Sequence, residues 1–194
     1  LRAFYEKQKK DPALSALFKE SEQVRASHIL IAARRSQIRS RLSASGNASA
    51  AQLDRLVTEE MSRRRERAAL LLREVKAGAD FAALARAHSE DPGTRASGGD
   101  LGFFTRDTHT RGFDEVAFAL EPGRTSGIVE TDYGYHIIRI TGHKAERTRS
   151  FEEVRAALDH RLLARKRAEH LTRWLDARRR EAAIQIDPSY RSVN

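Results

Sequence analysis

The chain has 194 residues, 40% of them hydrophobic and 32% charged, with a net charge of +9. It contains no cysteine, which excludes disulfides, thiolate nucleophiles and Cys-ligated zinc, and no apolar run reaches the length needed to cross a bilayer. The length admits one domain of ordinary size with appendages, and the chain opens at Leu1 without a secretory pattern, as expected of a mature form or an excised fragment.

The basic residues are spread over helical stretches and mixed with glutamate, as in RRRER at Arg63–Arg67. No basic strand is interleaved with aromatics in the manner of RNA-binding sheets. A solvated helix surface, or contact with acidic polypeptides, is therefore expected, and no specific nucleic-acid partner.

Leu1, Phe4 and Tyr5 have helical spacing ahead of a charged run. Asp11-Pro12 is a helix-start signal, Asp capping and Pro entering the first turn, with Leu14, Leu17 and Phe18 as the apolar stripe. This arm, residues 1–22, is too short to stand alone and must pack on something. Val24–Ala33 alternates loosely around Ile29 and Ile31 and reads as a strand. Arg34–Ala50, rich in Arg, Ser and Ala and broken at Gly46-Asn47, reads as a loop or frayed helix.

From Ala51 the spacing predicts a long helix with Leu53, Leu56, Val57 and Met61 on one stripe and Ala68, Leu71, Leu72 and Val75 on a second, stopped at Gly78. Asp80 is placed to cap a short helix from Phe81 to about His88, and Glu90-Asp91-Pro92-Gly93 ends it in a turn. In SGGDLGFF, Ser97–Phe104, two glycines suit a turn and Leu101, Phe103 and Phe104 suit a short strand; alternation puts Leu101 and Phe103 on one side, Gly102 and Phe104 on the other.

Phe113–Leu120 reads as an amphipathic helix ended by Glu121-Pro122-Gly123, and Ser126–Glu130 and Tyr135–Ile140 as a hairpin across Thr131–Gly134. After a polar linker, Ser150-Phe151-Glu152-Glu153 is a capping box opening a helix to about Ala183. Phe151, Val154, Leu158, Leu162, Leu171, Trp174 and Leu175 lie on its apolar side, Trp174 as a core or interface anchor or a contact for a bound polypeptide. Ile184-Gln185-Ile186 reads as a short extended tail. The order β-α-α-β-α-β-β implies an α+β domain with an antiparallel sheet.

His28 in SHIL and His136 in YHII sit in the middle of predicted strands. Taken singly, each reads as a satisfied core histidine or as a catalytic group. Asp91 before Pro92 reads as a turn residue or a site carboxylate, and Thr131 as a turn threonine or a site hydroxyl.

RASHILI, FAALARAHSEDPGTRASGGDLGFF, FDEVAFAL and EPGRTSGIVETDYGYHIIRI follow one another in that order. Together they closely resemble the parvulin family of peptidyl-prolyl cis/trans isomerases over about Val24–Gly142, and the flanks resemble those of the extracytoplasmic bacterial foldases of the SurA and PrsA type. The resemblance implies a four-stranded antiparallel sheet surrounded by helices, an isomerase domain at 23–142 with an insertion at about 36–65, and helical arms at 1–22 and 143–194. It implies a site of His28, Asp91, Thr131 and His136, the histidines adjacent and sharing hydrogen bonds, with a proline pocket of Leu101, His109 and Phe113 and with Phe104 beside it. His109 departs from the family's usual apolar residue. The implied activity is rotation of X-Pro bonds in unfolded or partly folded proteins without cofactor or metal. A parvulin-fold chaperone with little turnover is the alternative. The implied setting is periplasmic or otherwise extracytoplasmic, with self-association through the arms or insertion open. Arg34, Arg35, Arg39 and Arg41 lie where one branch of the family reads phosphate, but Asp91 belongs to the other branch.

Overall fold

Residues 2–9, 15–44, 46 and 48–182 are described in a computed structural model of the chain. In chain order the elements are α1 (Arg2–Gln8), α2 (Ser15–Phe18), β1 (Lys19–Glu20), β2 (Gln23–Ala32), α3 (Arg35–Ala44), α4 (Ala50–Lys76), α5 (Phe81–His88), β3 (Asp100–Phe104), α6 (Arg111–Ala119), β4 (Thr125–Thr131), β5 (Gly134–Lys144), β6 (Arg147–Thr148) and α7 (Phe151–Glu181). They fall into two compact units, Ser21–Arg147 and the described parts of Leu1–Glu20 with Thr148–Asn194.

Unit Ser21–Arg147 is built on an antiparallel sheet of order β3-β2-β5-β4. The two central strands are apolar on both faces, because each face is covered. Ile29, Ile31, Tyr135 and Ile137 face α4 and α5, with Val57, Ala68, Leu71, Phe81 and Ala85. Val24, Ala26, Ile138 and Ile140 face α6, with Phe104, Phe113 and Ala117. Alternation continues the second face along β2 and β5 to His28 and His136.

Of the two readings left open for Arg34–Ala50, a loop or a frayed helix, the structure has a helix over Arg35–Ala44, because Ile38 is buried and Leu42 packs on the α4 core. Two features differ from the sequence expectation. In α4, Leu53 and Val57 are buried while Leu56 is 42% exposed, so the stripe is narrower than its spacing indicated. In β3, Leu101 and Phe104, not Leu101 and Phe103, share the α6 face, and Phe103 is exposed beneath Lys144. A bulge explains this. Arg25 pairs with Phe103 and Ser27 with Asp100, so two residues of β3 oppose one of β2. Gly102 takes the extra residue at φ 68°, a conformation that favours glycine.

In the other unit, Tyr5, Phe18, Val154 and Leu158 form a small core. Tyr5 packs edge-on against Phe18 and Phe151, and its hydroxyl donates to the Arg149 carbonyl at 3.0 Å. Both halves of the Ser150 capping box are made. Beyond Leu158 the apolar stripe of α7 leaves the core: Leu171, Trp174 and Leu175 are exposed, so Trp174 is not a core anchor among the described residues. The Asp11-Pro12 start signal, Asn47 and the Ile184–Ile186 tail lie outside the described residues. No helix among the described residues is long and apolar enough to cross a membrane.

Candidate functional site

The site begins where β2 changes neighbours. Its first half pairs with β3. Past Ser27 its outer edge is met by the end of α5: Leu30 N–H donates to Ser89 Oγ, Glu90 N–H to the Leu30 carbonyl and Ala32 N–H to Glu90 Oε2. Glu90 also binds Arg67 and Arg64 of α4, and Arg64 reaches the Ala32 carbonyl. These bonds hold the following residue, Asp91, against His28.

Register supplies the second histidine. His28 pairs with Ile138 and Leu30 with His136, so the two histidines are diagonal neighbours on one face. Their rings are stacked 5.5 Å apart and 17° from parallel, with Nδ1 to Nδ1 at 3.2 Å. His28 Nε2 lies 2.9 Å from Asp91 Oδ2 and 3.1 Å from Thr94 Oγ1. Thr94 donates to the same carboxylate oxygen. His136 Nε2 lies 2.8 Å from Thr131 Oγ1, which receives the Tyr133 N–H at 3.2 Å.

Proton counting orders this chain. Asp91 accepts, so His28 carries its proton on Nε2 and accepts on Nδ1. His136 therefore donates from Nδ1 and accepts on Nε2 from the Thr131 hydroxyl. Each neutral imidazole uses both nitrogens, and neither tautomer can change without its neighbour.

The electrostatics agree. Burial lowers the pKa of both histidines, that of His136 to about 4, with His28 adding to the effect. Burial works the other way on Asp91, but hydrogen bonds from Thr94, His28 and the Gly93 amide outweigh it and hold its carboxyl below the usual range. The result is two neutral rings beside one anion at neutral pH.

Above the rings is a cleft of about 500 Å³ lined by His28, Leu30, Asp91, Leu101, Thr108, His109, Thr110, Phe113, Tyr133 and His136. Phe113, from the first turn of α6, meets both histidine rings edge-on at 5.8 and 5.4 Å. Of the residues expected here, His28, Asp91, His136, Leu101, His109 and Phe113 line this one cleft. Thr131 contributes through His136. Phe104 lies behind the wall, 6% exposed, with its ring 4.4 Å from that of His109. Thr94, Tyr133 and Asp114 were not anticipated. Thr94 follows Asp91 by three residues in a turn, a spacing at which a side chain can reach back; the other two are placed by tertiary packing alone. No group of three His, Asp or Glu side chains arranged for a metal occurs among the described residues.

A four-stranded antiparallel sheet with paired strand imidazoles under an apolar-walled cleft defines a parvulin-type domain. The family model of the PPIC-type peptidyl-prolyl isomerase domain matches residues 13–144, and the chain belongs to that family. Foldase protein PrsA of Geobacillus kaustophilus is 45% identical over 87 residues, 43% of this chain and 30% of that protein. Chaperone SurA of Alkalilimnicola ehrlichii is 37% identical over 131 residues, 68% of this chain and 30% of that protein. The chain thus spans under a third of the length of these relatives. One of two SurA-like chaperones of Campylobacter jejuni superposes with a TM-score of 0.60 at 23% identity, covering 96% of this chain and 61% of that one. A PpiC-type peptidyl-prolyl cis-trans isomerase domain gives 0.50 at 24%, covering 66% of this chain and 95% of its own. Both likenesses concern the fold.

Proposed function

We propose that Ser21–Arg147 is a peptidyl-prolyl cis/trans isomerase unit acting on X-Pro bonds of unfolded or partly folded proteins, in an extracytoplasmic setting like that implied for the foldases it resembles. What carries this reading is an apolar wall set directly over two neutral, mutually locked imidazoles within one cleft. Family membership supports it.

Rotation about an X-Pro bond breaks amide conjugation, with a barrier of roughly 18–20 kcal/mol and a timescale of tens to hundreds of seconds. In the twisted state the carbonyl oxygen carries less negative charge than in the planar amide. Water bonded to that oxygen therefore favours the planar form. Leu101, Phe113 and Leu30 offer the prolyl ring an apolar seat, and displacing water removes that bias. Asp91 is placed to bias the field at the turning carbonyl, since its anion disfavours charge on a nearby oxygen. His28 and His136 hold Asp91 and the cleft base in fixed geometry, with Thr131 anchoring the far end. No covalent step is required, and each ~1.4 kcal/mol of preferential binding to the twisted state is a tenfold rate gain.

The test is turnover of X-Pro tetrapeptides. Asp91→Ala is expected to lower kcat/KM on the order of 10- to 100-fold with the fold intact. Wild-type turnover no faster than the uncatalysed rate overturns the isomerase reading. It favours instead a client-binding module, for which the exposed Leu163, Leu171, Trp174 and Leu175 of α7 are the supporting observation.

A further inference from the structure

Two buried side-chain polar atoms lack a hydrogen-bond partner among the described residues, His109 Nδ1 and Asp114 Oδ1, and they face each other. They are 3.3 Å apart but out of line for a hydrogen bond. The Asp114 side chain is only 8% exposed, and its other oxygen receives just the His109 backbone N–H at 3.3 Å. Asp114 lies in the first turn of α6, where the helix end favours an anion. A carboxylate removed from water needs a counter-charge.

The nearby cations are engaged elsewhere. Arg111 pairs with Glu115 at 2.7 Å, and Arg106 pairs with Glu22 at 3.0 Å and stacks on Phe118. Arg106, Asp107, Arg111 and Glu115 surround a separate hollow with Asp114. His109 is the group left to complete the pair.

Its ring is wedged between Phe104 at 4.4 Å and Phe113 at 4.9 Å, which turns Nδ1 toward Asp114. Nε2 is not among the buried orphans, and the ring lines the cleft. It shares the cleft with His28, His136 and Asp91. The two imidazoles are consumed by each other, and the Asp91 carboxylate is already engaged by Thr94, His28 and Gly93.

We propose that His109, oriented by Asp114, determines specificity in this cleft, so that it favours a peptide carrying a carboxylate beside its proline. When the ring is doubly protonated, Nδ1–H serves Asp114 and Nε2–H faces the bound chain, a charged donor that selects a peptide offering a carboxylate. His109 touches the substrate; Asp114 is a positioning residue. The inference rests on the isomerase reading for its substrate.

The experiment uses the full chain and tetrapeptides with Glu, Gln or Leu placed before, and in a second set after, the proline. For one of the two placements, wild type is expected to favour Glu over Gln about tenfold in kcat/KM near pH 6. In His109→Met the Glu/Gln ratio should fall to about one; reading the ratio cancels any general loss of turnover. In Asp114→Asn, which leaves His109 Nδ1 without its carboxylate neighbour, the Glu/Gln ratio should also fall toward one, with kcat/KM on the Leu peptide as the control for general loosening of the fold. A Glu/Gln ratio unchanged in His109→Met overturns the proposal. If wild type turns over no peptide, the isomerase reading fails, and the ratio of Glu- to Gln-peptide affinities by NMR titration still decides the present one.

Discussion

Thr131 closes one end of the proton chain, and its hydroxyl is the only donor to His136 Nε2 among the described residues. Thr131→Val keeps the shape and leaves a buried ring nitrogen without its proton donor, a loss of about 1–3 kcal/mol. Urea unfolding measures that loss, and a collapse of the downfield His N–H signals would report the freed tautomer.

His136 also sets an acid limit. In the unfolded chain its imidazole takes a proton near 6.5, whereas in the folded protein burial delays this to about 4. Between those values the unfolded state binds more protons, so stability falls as pH falls, by on the order of 3 kcal/mol in all. His28, lowered by burial, acts in the same sense. Asp91, whose folded pKa is depressed, adds a further loss at still lower pH. Urea midpoints from about pH 7 to pH 4 should show this slope, and His136→Asn should remove much of it.

Among the elements, Gly99, just before β3, and Gly102, within it, separate steric from conformational need. A methyl group on Gly99 would meet the His28 carbonyl oxygen at 2.2 Å, while one on Gly102 would meet nothing within 4 Å. Both have positive φ. Gly102→Ala should therefore destabilise by about 1–2 kcal/mol, the left-handed penalty alone. Gly99→Ala must also push β3 from β2 at His28, so it should cost more and lower turnover as well. Equal effects on stability and turnover would refute this account of the bulge.

These same elements show what a one-dimensional reading can and cannot reach. The hairpin at Thr131–Gly134, the Asp80 and Ser150 caps and the strand placement of both histidines were legible because turn chemistry and period two are local. The side on which Phe103 lies was not, because it depends on a bulge set by the partner strand. Helix α3 could not be told from a loop, because Arg and Ser obscure a helix held by two apolar residues, Ile38 and Leu42. Asp114 was invisible: an acid in a first helical turn usually faces water, and only the fold buries this one.

Considered whole, the two compact units are separable by experiment. Residues 21–147 carry the complete cleft, so this segment alone should keep the full chain's kcat/KM on X-Pro tetrapeptides. Suppression of client aggregation, followed by light scattering, should need the full chain, because Leu171, Trp174 and Leu175 lie outside that segment. An isolated segment that holds clients equally well would remove α7 from the reading.

Glu90 has a wider meaning. It clips α4, a rod of 27 residues, to the backbone immediately before Asp91. That rod is roughly 40 Å long. A shift of the rod along its own axis would drag on the clip and so on the carboxylate beside it. Whatever grips the rod far from the cleft would have a mechanical throttle on the protein's turnover.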